Sequence, residues 1–162
     1  MHTRDDAWIA LDRSFKTFMD CLGHLTEEEL TAAEVVGKWS VKDVVAHVWS
    51  WVDEAVQTAK AWQGPRPWQE GVEYDDAWNE KQVRARDALP LITVVDGLTG
   101  SHRRLVHMLD RAEDDELEKV SKVPWENEAM TLVDFYWSRA EHYQEHAIDL
   151  KNYQERCLEG CD

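Results

Sequence analysis

The chain has 162 residues, and its 43% hydrophobic content and nine tryptophans supply enough apolar surface for one domain spanning residues 1–162. Its formal net charge of −15 repels nucleic-acid phosphates and anionic lipid surfaces, so we expect neither nucleic acid nor a membrane as a partner. No stretch approaches the roughly 18 apolar residues of a membrane span, no secretory signal pattern opens the chain, and no Cys-x-x-Cys pair occurs, so we expect a cytoplasmic protein.

The first predicted helix carries apolar residues at alternating steps of three and four, which places them on one helical face. These residues are Trp8, Leu11, Phe15, Phe18 and Leu22. The helix is expected to end near Gly23. Residues 26–29, Thr-Glu-Glu-Glu, then form a capping box that predicts a short helical turn.

The second predicted helix starts at a capping box formed by Ser40 and Asp43. Its apolar stripe consists of Val41, Val44, Val48, Val52, Ala55 and Ala59. The helix is expected to stop at residues 64–67, Gly-Pro-Arg-Pro, because neither proline can supply the next backbone hydrogen bond.

A third helical stretch begins around residues 75–77 and is interrupted near Pro90, which predicts a kinked or broken helix. Pro90 suits the first position of the second piece, whereas Gly97 and Gly100 weaken helix propensity inside it. The apolar positions of this second piece are Leu91, Val94, Val95, Leu98, Leu105 and Leu109.

The fourth predicted helix begins at a capping box formed by Thr131 and Asp134. Its inward stripe keeps the same spacing but contains polar residues. The stripe is Leu132, Phe135, Arg139, His142, His146, Asp149 and Tyr153. Because no hairpin turn is flanked by alternating apolar and polar residues, the four amphipathic segments predict an all-α four-helix bundle.

Two histidines of the fourth helix are candidate metal ligands. His142 and His146 are four residues apart, so their rings project from one face with about 6 Å of rise between them. Imidazoles in a buried stripe cost free energy unless their nitrogens are satisfied, either by a shared metal or by hydrogen bonds within the core. A third ligand must come from another helix. The candidates are His47 and His102, and periodicity slightly favours His102.

Residues 37–51, Gly-Lys-Trp-Ser-Val-Lys-Asp-Val-Val-Ala-His-Val-Trp-Ser-Trp, resemble the second-helix signature of the DinB/YfiT-like superfamily. The resemblance extends over nearly the whole chain, through Trp78, Asn79 and residues 101–105. Within that superfamily the chain resembles the ClbS/DfsB-like group, which includes proteins that protect producers from their own reactive natural products. It resembles equally the metal-dependent thiol transferases that use mycothiol or bacillithiol.

The resemblance implies a metal triad. In that superfamily the histidine after the Trp-Ser-x-x-Asp pattern, here His47, joins the last-helix pair, here His142 and His146. Three neutral nitrogen donors leave a coordination position open, as catalytic sites do. The expected cofactors are a divalent metal, with Zn, Ni, Fe and Mn all suited to three imidazoles, and a low-molecular-weight thiol.

Four further residues are candidates for contact with a small-molecule substrate. Trp51 and Tyr143 are candidate pocket walls, and the resemblance places Asn79 near the open end of the bundle. An inward guanidinium on Arg139 could clamp a substrate carboxylate. Each residue also has a structural interpretation, as core aromatics, an exposed amide and an ion-paired arginine.

These features favour a metal-dependent transferase of a small thiol or a hydrolase of a reactive electrophile. A second hypothesis is a non-catalytic protein that binds or sequesters a small molecule at the end of the bundle. A third is a structural bundle whose histidines are satisfied by carboxylates. A homodimer is compatible with all three and is expected.

Overall fold

The computed structural model describes residues 2–64 and 71–159. Its long helices are α1 (Arg4–Gly23), α3 (Val41–Gln63), α5 (Leu91–Arg111) and α7 (Leu132–Glu159). The short helices are α2 (Glu27–Thr31), α4 (Asp76–Arg84) and α6 (Asp114–Leu117). The two-residue strands β1 (Val120–Ser121) and β2 (Met130–Thr131), which the sequence did not predict, pair antiparallel before α7. The all-α prediction is confirmed.

The four long helices form the predicted bundle. α1 packs along α7 and α3 packs along α5, while contacts of α3 with α7 and of α1 with α5 close the bundle. The short helix α4 packs on the outside of α3. This order makes α3 and α7 neighbours, so the histidines predicted on those two helices can meet. Among the described residues, no helix has the length and apolar character needed to cross a membrane.

Capping residues fix where the helices begin. Capping boxes at the predicted positions start α2 and α3. In the second of these, Asp43 N–H donates to Ser40 Oγ at 3.1 Å and Ser40 N–H donates to the Asp43 carboxylate at 2.9 Å. At α7, Asp134 N–H donates to Thr131 Oγ1, but the Asp134 carboxylate accepts from the backbone N–H of His2. The N-terminus is thereby tied to the start of the last helix.

The predicted break in the third helical stretch is confirmed. α4 ends at Arg84, and a series of turns over residues 85–89 leads to Pro90. With a ψ of 150°, Pro90 is the residue that precedes α5 and not its first helical residue. The predicted stop of α3 is also observed at Gly64, whereas Pro65 and Pro67 lie outside the described residues.

Gly97 of α5 lies directly against the Trp49 ring of α3. A Cβ atom at this position would lie 2.4 Å from a ring carbon of Trp49. The Trp49 indole N–H donates to the buried Ser101 Oγ at 3.1 Å, which holds the ring in place above the glycine. A Cβ atom at Gly100 would meet only the flexible end of Arg104, at 3.7 Å. Glycine therefore occurs at position 97 despite its low helix propensity, because any side chain there would overlap the Trp49 ring.

Two predicted faces are shifted. On α1 the buried line is Ala7, Leu11, Ser14, Phe18 and Cys21, and Trp8 is 39% exposed. On α7 the central buried line is Tyr136, Ala140, Tyr143, Ala147 and Leu150. Arg139, His142 and His146 are only partly buried, at the edge of that line. The reason is that α7 packs mainly against α1, which turns the centre of its buried face away from α3.

His102 belongs to the hydrophobic core and not to the candidate metal triad. It is 6% exposed, its ring stacks on Phe15 at a centroid distance of 3.8 Å, and its Nδ1 lies 3.0 Å from the Tyr143 hydroxyl. Burial lowers the pKa of His102 to about 4. The sequence analysis offered hydrogen bonding within the core as the alternative to metal binding for His142 and His146. The structure shows that arrangement at His102 instead.

Replacing Gly97 by alanine should destabilise the protein by about 1–3 kcal/mol, because the new methyl group overlaps the Trp49 ring. Gly100→Ala is the matched control in the same helix and should be neutral or stabilising by up to about 1 kcal/mol, since alanine favours the helix and space is available. Urea denaturation measures both free energies of unfolding. A Gly97→Ala variant as stable as Gly100→Ala would contradict the close packing.

His102 should make the protein less stable as the pH falls from about 6.5 to about 4. The unfolded chain protonates this imidazole near its ordinary pKa of 6.5, whereas the folded state keeps it neutral down to about 4. The unfolded state therefore binds more protons in this window. His102→Gln should reduce the slope of unfolding free energy against pH by up to about 1.4 kcal/mol per pH unit. His107→Gln, at an exposed position of the same helix, is the control. An unchanged slope in His102→Gln would refute this assignment.

Candidate metal site and adjoining cavity

Three imidazole nitrogens meet where α3 and α7 touch. Nε2 of His142 lies 3.2 Å from Nε2 of His47 and 3.1 Å from Nε2 of His146. One ring nitrogen from each residue lies within 4.8 Å of the others. Two nitrogens bound to the same tetrahedral ion, each about 2.0–2.1 Å from it, are separated by roughly 3.3 Å. The three residues are therefore close enough to hold one ion.

Hydrogen bonds alone do not satisfy both short contacts of His142. The Asp149 carboxylate lies 3.0 Å from Nδ1 of His146 and accepts a hydrogen bond from it, which places the single proton of the ring on Nδ1 and leaves Nε2 without one. Nε2 of His142 can then donate to His146 or accept from His47, but one ring nitrogen cannot do both. The remaining contact lacks its proton. A cation between the rings would remove this conflict, because every lone pair would then point at positive charge.

The electrostatics favour neutral rings. Burial lowers the pKa of His47 to about 3, with a smaller contribution from the charge of His146. Burial, and then the neighbouring His146, His47 and Arg139, hold the pKa of His142 well below its ordinary value. Burial also lowers the pKa of His146, opposed by Asp149. Near neutral pH all three rings are therefore neutral, and a neutral imidazole offers one nitrogen lone pair to a metal.

The signature residues before and in α3 position His47. Gly37, with a φ of +56°, allows the tight turn in which Val36 and Trp39 pair. The Trp39 ring packs on His47 at a centroid distance of 4.9 Å, and its indole N–H donates to Glu80 of α4 at 3.0 Å. Nδ1 of His47 is buried without a partner among the described residues. Packing against Trp39, and not a hydrogen bond at Nδ1, therefore orients this side of the ring.

An open cavity of about 380 Å³ adjoins the three histidines. Residues from α3, α4, α7 and the segment between the two strands line it. Besides the histidines, the lining includes Trp51, Asn79, Trp125, Arg139, Glu141 and Glu145. The cavity gives a small molecule access to the side of the histidine cluster that faces away from the core.

Trp51 is the centre of an aromatic wall on one side of this cavity. Its ring contacts those of Tyr74, Trp78 and Trp125 at centroid distances of 5.7, 4.9 and 5.3 Å. Its indole N–H donates to Oδ1 of Asn79 at 2.9 Å. Asn79 thus holds the wall in place by fixing the edge of the Trp51 indole.

Arg139 reaches the cavity with its charge already paired. Its Nη2 donates to Glu126 at 3.3 Å and to Ser138 Oγ at 3.0 Å. The guanidinium carbon lies 4.9 Å from the centre of the Phe135 ring and 6.0 Å from that of Trp125. The ion-pair interpretation is therefore the one observed, and a substrate carboxylate would have to compete with Glu126.

The structure brings most, but not all, of the predicted site residues together. Trp51, Asn79 and Arg139 line the cavity with the histidines. Tyr143 does not, because it is 1% exposed and faces the core beside His102. Trp125 and Glu126, which the sequence analysis did not single out, also line the cavity. They precede α7 in a segment without helical or strand periodicity, and the only signal was a tryptophan in a polar segment.

Several solved structures share this fold. YfiT from Bacillus subtilis, described as a probable metal-dependent hydrolase with an unusual four-helix bundle topology, is 19% identical, with a TM-score of 0.74 over 95% of this chain and 87% of its own. The colibactin self-resistance protein ClbS, solved in complex with a double-stranded DNA, is 19% identical, with a TM-score of 0.74 over 93% of this chain and 94% of its own.

A mycothiol-dependent maleylpyruvate isomerase is 12% identical, with a TM-score of 0.72 over 92% of this chain. The chain spans only 61% of the length of that isomerase. At these identities the likenesses show a common fold. No curated protein sequence matches the chain significantly. The family model of the DinB superfamily, however, matches residues 10–149, which include parts or all of each bundle helix and the three histidines, so this chain belongs to the DinB superfamily.

Proposed function

We propose that this protein is a divalent-metal-dependent enzyme that acts on a small electrophilic substrate, as a thiol S-transferase or a hydrolase. The observation that carries the proposal is the convergence of three neutral imidazoles, from His47, His142 and His146, beside an open cavity. Three protein ligands with one open side are typical of catalytic metal sites, whereas structural zinc sites are closed by four. Zn, Ni, Fe and Mn all accept three imidazoles.

A divalent ion bound there would supply Lewis-acid activation of a nucleophile, either water or a low-molecular-weight thiol, near neutral pH. The residues of the chain provide the surroundings. Asp149 keeps the Nε2 of His146 free of a proton, and the aromatic wall offers an apolar surface against which a substrate can be oriented. The open side of the cluster is where the nucleophile and substrate would meet.

The related folds support metal-dependent hydrolysis and the use of a small thiol. YfiT is described as a probable metal-dependent hydrolase, and the maleylpyruvate isomerase as mycothiol-dependent. A small thiol as the second cofactor is therefore part of the proposal.

A second candidate function is binding or sequestration of a small molecule without turnover. The aromatic wall around Trp51 favours it, because ring faces bind planar apolar ligands whether or not an ion is present. In that case thermal stabilisation by a ligand would survive treatment with a chelator, whereas a metal-dependent binding mode would lose it. The net charge of −15 argues against nucleic acid as that ligand.

Protein purified without a histidine tag should contain or take up one divalent ion per chain, measured by elemental analysis after dialysis. His142→Ala and His146→Ala should each lose most of it, because two imidazoles bind far more weakly than three. His47→Gln tests the contribution of α3 with a smaller change in volume.

His107→Ala, at an exposed position on α5, is the control and should retain the parent stoichiometry. Circular dichroism would establish that each variant is folded. If His142→Ala held as much metal as the parent, the ion would lie elsewhere and the proposed function would fail.

Asp149→Asn should weaken metal binding about tenfold, because the carboxylate that accepts the Nδ1 proton of His146 is lost. Competition with a chromophoric chelator gives the affinity. Asp20→Asn, an exposed substitution on α1, changes the net charge equally and should leave the affinity within about twofold of the parent. Equal effects of the two substitutions would show that only overall charge matters.

A further inference from the structure

Two carboxylates line the cavity, and the Arg139 guanidinium, which is paired with Glu126, acts on them only from beyond ion-pair distance. Glu141 and Glu145 line the cavity one helical turn apart on α7, and both are exposed. In the described part of the chain neither has an ion-pair partner within 4 Å, whereas Glu126 is paired with Arg139. Among the carboxylates and the guanidinium that line the cavity, the two groups without an ion-pair partner are therefore both negative.

Depth separates these carboxylates from the histidine cluster. His47 is 6% exposed and His142 and His146 are partly buried, whereas the two glutamates are exposed. A divalent ion would act at the inner end of the cavity and attract an electron-rich atom of the substrate. The carboxylates act on the part of the substrate that remains near the mouth, where an anionic group would be repelled and a cationic group attracted.

The aromatic wall favours the same kind of ligand. Trp51 and Trp125 both line the cavity, and the faces of tryptophan rings attract cations most strongly. The guanidinium of Arg139 already lies 6.0 Å from the centre of the Trp125 ring, so this wall tolerates a cation beside it. Planar apolar groups would stack on the same faces.

We propose that the cavity selects a substrate with a planar apolar portion that carries a protonated amine or quaternary ammonium group, and that Glu141 and Glu145 discriminate against anions. This inference rests on the proposed function, because it takes the cavity beside the histidines as the substrate site. The proposed substrate charge is positive, whereas an unpaired Arg139 would have recognised a negatively charged carboxylate.

The test uses three probes of similar size on the full chain at low salt. They are trimethyl(2-phenylethyl)ammonium, the uncharged 3-phenylpropanol and the anionic 3-phenylpropionate, and calorimetry measures their dissociation constants. A quaternary ammonium cannot ligate a metal, so its affinity reports on the carboxylates and rings. Measurements with metal-loaded and with chelator-treated protein separate attraction of 3-phenylpropionate to the ion from repulsion by the glutamates. In chelator-treated protein the ammonium probe should bind about tenfold or more tightly than the anion.

The double variant Glu141→Gln/Glu145→Gln should weaken binding of the ammonium probe about tenfold and leave that of 3-phenylpropanol unchanged, the effect of losing two exposed charge interactions. The matched control is Glu155→Gln/Glu159→Gln, which removes two exposed charges with the same spacing on the same helix, away from the cavity. The control should change both affinities less than about twofold.

The proposal is overturned if the double variant weakens the ammonium and alcohol probes equally, if chelator-treated protein prefers the anion, or if no probe binds at millimolar concentration. The metal content of the same preparations tests the proposed function separately. Protein that holds no metal but loses its ammonium preference in the double variant would refute the enzyme and retain the charge selection. Protein that holds metal but shows no charge preference would refute the charge selection and retain the proposed function.

Discussion

The contact between α3 and α7 is the constraint on which the site depends, because there three polar rings replace apolar packing. Nitrogens 3.1 and 3.2 Å apart in a partly buried contact must be neutral and must find partners. The helix start at Ser40 sets the position of His47 about two turns later, and the packing of Trp39 sets its ring angle. A register shift of one residue in either helix would turn one imidazole away. The local signals that start α3 are therefore also requirements of the site.

The histidine cluster lies at the edge of the hydrophobic core and not in it. The central buried line of α7 runs through Tyr136, Tyr143 and Leu150, and it packs mainly against α1. One face of α7 therefore stabilises the bundle, and a different face of α7 carries the residues of the site. Substitutions at His142 or His146 leave that central packing in place, so they can remove ligands without removing the fold. This separation also allows a cavity beside the histidines, since a core position would have been filled.

The sequence predicted the features that depend on local chain properties. Capping boxes located the starts of α2 and α3, and Pro90 located the break before α5. The predictions that were wrong are those that depend on which helices become neighbours in the fold. On α1, a face through Trp8 and one through Ala7 both fit helical spacing, and only the packing of α1 on α7 selects the second. Periodicity likewise favoured His102 as the third ligand, because this residue lies in the apolar stripe of its helix. A position in the stripe indicates that a residue is buried, but it does not show that the residue lies near His142 and His146. The resemblance selected His47, which the structure places in the cluster. Trp125 lies in a segment without any period, so only the folded chain shows that it lines the cavity.

The acidic residues of the chain have a specific effect at the cavity. Over the whole chain, 33 acidic residues outnumber 18 basic ones, and most of these charges belong to a solvated surface. At the histidine cluster the ligands are neutral, so a divalent ion there would be an uncompensated double charge unless nearby carboxylates offset it. Asp149 touches His146 directly, and Glu141 and Glu145 line the same cavity. Asp149 would offset part of the charge of such an ion at the inner end, whereas Glu141 and Glu145 lie nearer the mouth, where the substrate would encounter them first. In this proposal the carboxylates at the two depths have separate roles, since one lies beside the ion and two determine which substrate charge can approach it.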